Sequence, residues 1–291
     1  MFSSNKYFDK LVDFLQSDKF SKYIKKFNLI LTSISFVVIY QTFQNLNLSN
    51  QVLTFSINTL VVGFLLYLAN LTLWSRFMTN NYKKFSPTYL INWSRSRLGR
   101  YVPSGVLVLT TRIDDKLVKV KNSKKIIYGL IEEQFLLPLV GSATVIIYLN
   151  FKIVDTDYFN FFIASCISVL VIRLFYYFLK IEFVSLIKFT LNFLLAINLN
   201  FIFLAIISAE MTVENPYQIA AFYYLSTCLA LFFVGIPAGI GVRELIFLYI
   251  ANLFVNEVFI FEVIVKTRLL YLILDVFFGI LGNIFYFLYK K

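Results

Sequence analysis

The stretch PYQIAAFYYLSTCLALFFV at residues 216–234 runs directly into GIPAGIGVRE at 235–244, and the join decides what kind of molecule this is. The first part carries no charge and is long enough to cross a bilayer as a helix. The second cannot continue that helix, because Pro237 removes a backbone donor and Gly235, Gly239 and Gly241 loosen the chain. Inside hydrocarbon such a break survives only where protein or a water-filled cavity satisfies the freed amides and carbonyls. A related segment, RYVPSG at 100–105, also sets Pro-x-Gly beside fixed charge. Both breaks are candidate substrate sites.

Working outward, further apolar runs fall at 27–46, 52–74, 126–149, 158–179, 186–208, 240–255 and 269–289. With 216–234 they predict an all-α polytopic membrane bundle of about eight crossings, with one or two re-entrant or broken segments. The composition agrees: 59% of the 291 residues are hydrophobic and the mean hydropathy is +0.76, so no stretch is left for an additional soluble catalytic domain. Residues 1–26 form a separate segment. Phe8, Leu11, Val12 and Leu15 recur there at helical spacing among charges, which predicts an amphipathic helix on the membrane surface rather than a signal peptide.

The inventory excludes several chemistries. Without histidine there is no imidazole acid–base catalysis, no His-ligated zinc and no Ser-His-Asp arrangement. Cys166 and Cys228 lie within apolar runs without metal-type spacing and read as small buried hydrophobes. No cofactor is expected. The net charge of +11 sits in a few inter-helix stretches rather than on one soluble face, which argues against nucleic acid as a partner.

Those basic stretches set an orientation instead. Most of the 27 lysines and arginines fall in residues 1–26 and 76–125, at Lys180 and Lys188, and at Lys290 and Lys291. The alternate loops are acidic apart from Lys152, so the positive-inside rule places both termini in the cytoplasm. Residues 89–113 are too charged to span and too apolar to be an ordinary loop. They predict a re-entrant hairpin from the cytoplasmic side, and the break at 235–244 is expected to open from that side too.

Ionisable groups inside apolar runs are costly and so have a partner or a task. Glu132 and Arg173 lie at similar depth on successive spans, and they either lock two helices together or form part of a counter-ion or proton relay. Glu133 points about 100° away from Glu132, toward a different neighbour. In the last span Arg268 and Asp275 share a face about 10 Å apart and are expected to pair with other helices. Glu262 and Lys266 read as an i,i+4 surface pair.

Anion recognition is the chemistry these segments suggest. Arg100 and Arg112 flank the first break and are suited to grip phosphate bidentately, whereas Arg95 and Arg97 either join them or only set topology at anionic headgroups. At the second break, a helix beginning near Ile240 would aim free amides and its positive dipole at an anion, with Arg243 beside it. Glu244 either orients Arg243 or forms a helix-start salt bridge with it.

The segments LGRYVPSG at 98–105 and PAGIGVRE at 237–244 resemble the two signatures of the lysylphosphatidylglycerol synthase transmembrane-region family, from about Leu29 onward. Ser104 stands where a glycine is common. The resemblance implies a flippase-like domain over residues 27–291, without the aminoacyltransferase domain of fused members, and hence a transporter rather than an enzyme. It implies an anionic phospholipid or polyprenyl-phosphate-linked glycan moved between leaflets, in cell-envelope lipid or polysaccharide biosynthesis at a bacterial inner membrane. Carried onto this chain, the matching positions are Arg100, Pro103, Gly105, Glu132 or Glu133, Pro237, Gly239, Gly241, Arg243 and Glu244. The first segment is also similar to the arginine motif of DedA-type proteins, but the acidic motif that precedes it in those chains has no counterpart here. Two other readings remain open: an integral-membrane glycosyltransferase, and a non-catalytic membrane partner of a glycan assembly complex. A homo-oligomer or a glycan-biosynthesis partner is compatible with any of them.

Overall fold

A computed structural model describes residues 54–82, 87–98, 123–151, 156–178, 190–213, 215–231, 241–254 and 257–290. The expected surface helix at 1–26, the crossing at 27–46, and Arg100, Pro103, Gly105, Arg112, Pro237 and Gly239 lie outside these residues. The described chain is all helix, without a strand: α1 (Ile57–Tyr82), α2 (Pro87–Ser96), α3 (Ser123–Asn150), α4 (Asp157–Phe178), α5 (Thr190–Glu210), α6 (Pro216–Leu231), α7 (Val242–Ala251) and α8 (Glu257–Lys290). The chain is an all-α membrane protein. Among the described residues, α1, α4, α5 and α8 are long and apolar enough to cross a bilayer, and α3 has a shorter apolar part at Leu136–Asn150.

The helices break where their sequences demand it. Ser56 caps α1, its hydroxyl accepting the Thr59 amide at 3.1 Å, which satisfies one of the free donors of the first turn. Pro216 opens α6 at the position where its missing N–H costs nothing. α3 continues through Pro138, and close packing supports it one turn later: a Cβ on Gly141 would stand 2.6 Å from the Cys228 sulfur and 2.9 Å from the Tyr224 hydroxyl of α6. α7 has ten residues, about 15 Å, so the apolar run at 240–255 contains a helix half the thickness of the hydrocarbon.

α5 is the central helix, packed against α1, α3, α4, α6 and α8. Phe193, Ile197, Phe201, Phe203, Leu204 and Ile207 are all buried around it, and Phe201 stacks on Phe161 of α4 at 3.7 Å. Since lipid is as apolar as leucine, close packing and interhelical hydrogen bonds hold such a bundle together. Thr144 and Ser168 are 2.7 Å apart between α3 and α4, and Asn198 of α5 donates to Ser165 of α4 at 3.0 Å. The outward faces carry the large exposed apolar side chains Phe64, Leu65, Ile146, Phe162, Leu170 and Phe277, as a lipid-facing surface requires.

α2 falls within the segment expected to form a re-entrant hairpin. It is only half apolar, yet Thr88, Asn92, Ser94 and Ser96 are buried with Tyr89, Ile91 and Trp93. Glycines of α8 make room for it: a Cβ on Gly282 would lie 2.7 Å from the Arg95 backbone nitrogen and from the Ser94 Cβ. Trp93 then packs edge-on against Tyr67 of α1 and Phe278 of α8.

Candidate functional site

α6 and α7 run antiparallel: Ala230 packs near Val242, Tyr223 against Phe247 and Phe222 against Phe254. α7 thus returns toward the end from which α6 came. Its start is made possible by Gly241, whose φ of 90° is hostile to any side chain. Glu244, in the first turn, reaches back so that its Oε2 accepts the Gly241 amide at 2.7 Å. The other oxygen of that carboxylate takes two arginines.

Arg243 Nε lies 3.3 Å from Glu244 Oε1, and Arg268 of α8 reaches the same atom with Nη2 at 2.5 Å and Nε at 2.7 Å. Arg243 is 5% exposed and Glu244 2%, so these charges are removed from solvent and their pairing is strongly felt. The Arg243 guanidinium also sits over the rings of Tyr223 of α6, at 5.0 Å, and Tyr271 of α8, at 5.6 Å, as cation–π contacts do. Both readings of Glu244 meet in one geometry. It caps the helix and orients the arginines.

A second ion pair lies at nearly the same depth on the other side of α8. Lys266 Nζ meets Glu210 Oε2, at the end of α5, at 2.7 Å, and Thr59 of α1 donates to Glu210 Oε1. Lys266 and Glu262 were expected to form a local pair on the surface, but the surface position is wrong: Lys266 is 1% exposed and Glu262 4%, and Lys266 also bridges to a different helix. The correction has a physical reason: in a membrane bundle the polar stripe of a helix faces the interior.

Deeper along α8, Asp275 accepts a hydrogen bond of 2.7 Å from the Tyr67 hydroxyl of α1. Arg268 and Asp275 therefore both contact other helices, but not each other's partners. Arg173 is exposed on α4. Glu132 and Glu133 stand in α3, with their side chains outside the described residues, as is any pair with Arg173. Arg95 donates to Asn283 at 3.3 Å and stacks on Tyr286 at 3.7 Å, while Arg97 covers the Trp93 ring at 3.7 Å. Both have structural contacts within the bundle.

Arg268 lies about 17 Å from the start of α8 and about 33 Å from its end. Along α6, the start of α7 stands beside Ala230, near the far end of that helix.

Sequence reasoning missed Tyr223, Thr267 and Tyr271, which surround the arginines. Tyr223 and Thr267 are both 0% exposed, and neither hydroxyl makes a hydrogen bond. Nothing marks Tyr223 among 34 Phe and 19 Tyr. Among the described residues, no group of three His, Cys, Asp or Glu side chains could hold a metal ion.

No protein-family model, curated protein or solved structure matches this chain. Its functional reading rests on the site itself and on the two sequence segments.

Proposed function

We propose that this chain is a flippase-like integral membrane protein that binds an anionic lipid or lipid-linked glycan and moves it between leaflets, in cell-envelope lipid or polysaccharide biosynthesis. The observation that carries this reading is that two guanidiniums, Arg243 and Arg268, share the single carboxylate of Glu244 at the broken start of α7. A helix N-terminus with two guanidiniums beside it in a low-dielectric interior attracts anions. The resemblance of 98–105 and 237–244 to the lysylphosphatidylglycerol synthase transmembrane region supports the same activity, with Arg100 and Arg112 as further contacts for the headgroup. On this reading the bundle sits in a bacterial inner membrane with both termini in the cytoplasm, and acts as a transporter rather than an enzyme.

Reconstitution tests it. Vesicles containing the protein and fluorescently labelled phosphatidylglycerol should expose inner-leaflet label to an external quencher, and Arg243→Ala and Arg100→Ala should each remove most of that activity. Unchanged rates in both variants, at equal reconstitution, would overturn the site assignment.

A second reading draws on a different observation. The buried bridges from α8 to both α5 and α7 also suit a rigid membrane partner of a glycan assembly complex, and co-purification with a synthase without any lipid movement would favour it.

A further inference from the structure

The carboxylate of Glu244 sits in the manner of a bound anion. Its two oxygens accept from the Gly241 amide, from Arg268 and from Arg243, the donors that a ligand at the start of α7 would use. Two more donors stand at the same place and are left over. The Tyr223 hydroxyl lies within the field of Arg243, Glu244 and Arg268 and faces the Thr267 hydroxyl closely enough to interact with it, yet neither hydroxyl has the geometry of a full hydrogen bond to any group. A buried hydroxyl without a partner is costly, and here two of them accompany two arginines.

A carboxylate has two oxygens and cannot serve this whole set. A phosphoryl group presents more acceptor oxygens, arranged in three dimensions, and can accept from the arginines and from both hydroxyls together.

Resting on the proposed anion-binding reading, we infer that Gly241, Arg243, Arg268, Tyr223 and Thr267 form a phosphoryl-binding site in which Glu244 is a resident competitor for the incoming group. The chain's own carboxylate holds the arginines in place while the site is empty. It yields them, in whole or in part, when phosphate oxygens arrive, and its presence sets how tightly the ligand is kept. A transport site gains from this arrangement, since a ligand that met no competing carboxylate at these arginines would be slow to leave.

Native mass spectrometry of the purified full-length protein in detergent provides the test, with phosphatidylglycerol, inorganic phosphate and oleate titrated separately. Phosphatidylglycerol should bind more tightly than oleate. Glu244→Gln, which keeps the shape and a cap acceptor for Gly241, should tighten it by about tenfold, the effect expected for removing one competing charge. Tyr223→Phe and Thr267→Val each remove one hydroxyl and should weaken it several-fold, with unchanged oleate binding as the control for folding. Binding of inorganic phosphate in the same variant order would assign the site to the phosphoryl group alone, and its failure to bind would assign it to the lipid headgroup. Equal or weaker binding by Glu244→Gln, or no effect of the two hydroxyl variants, overturns the inference while wild-type binding leaves the anion reading standing. Absence of phosphatidylglycerol binding by the wild type overturns both.

Discussion

Lys266 and Arg268 stand two residues apart on α8 and are bound to opposite neighbours, Lys266 to Glu210 of α5 at 2.7 Å and Arg268 to Glu244 of α7 at 2.5 Å. Two residues turn a helix by about 200°, so the two bridges leave α8 on nearly opposite sides. Any rotation of α8 about its axis would stretch both.

Breaking one bridge should therefore be expensive. Lys266→Met leaves the Glu210 carboxylate without its cation in the interior, a loss of about 3 kcal/mol. Chemical unfolding in detergent measures it, and the double variant Lys266→Met with Glu210→Gln should recover most of the loss. Equal stability of the single and double variants would show that the pair is not coupled.

At Gly241 the φ of 90° is closed to side chains. Gly241→Ala should destabilise the start of α7 by about 1–3 kcal/mol, seen as faster hydrogen exchange at 241–246 than in the rest of the bundle. Uniform loss of protection across all helices would point to another cause.

The hydroxyl of Tyr67 donates to Asp275, which is 1% exposed. Tyr67→Phe removes a hydrogen bond to a buried carboxyl and should cost about 2 kcal/mol. A thermodynamic cycle with Asp275→Asn reads the coupling directly, and additive effects would deny it.

Gly282 faces the backbone of α2 with no room for a methyl group. Gly282→Ala should push α2 away from α8 at a cost of about 1–3 kcal/mol and expose Trp93. With Trp74→Phe as background, leaving one of the chain's two tryptophans, the emission of Trp93 should shift to the red. An unchanged spectrum would mean that α2 is seated elsewhere.

Much of this arrangement was legible in the sequence. The apolar runs located α1, α4, α5 and α8, and Gly241 with Arg243 and Glu244 marked the start of α7, because glycine and charge have strong local meanings. The pairings were not legible. Helical periodicity reports which residues share a face of one helix, and it suggested Glu262 as the partner of Lys266. Lys266 also meets Glu210, which belongs to another helix far along the chain and which periodicity within α8 cannot reveal. Tyr223 and Thr267 were hidden for a related reason: their roles come from what stands opposite them in space, not from their own types or spacing.

The length of α8 has a mechanical side. Its apolar stretch, Phe259–Leu288, measures about 45 Å, against about 30 Å of hydrocarbon in an ordinary bilayer. Such an excess is met by leaning the helix, by kinking it or by thickening the surrounding lipid. Yet α8 is fastened to α1 through Asp275, to α2 through Asn283 and Tyr286, to α5 through Lys266 and to α7 through Arg268. A thinner membrane that leans this rod further levers at all four attachments together, and so the thickness of the surrounding lipid becomes a force on the arginines of α7.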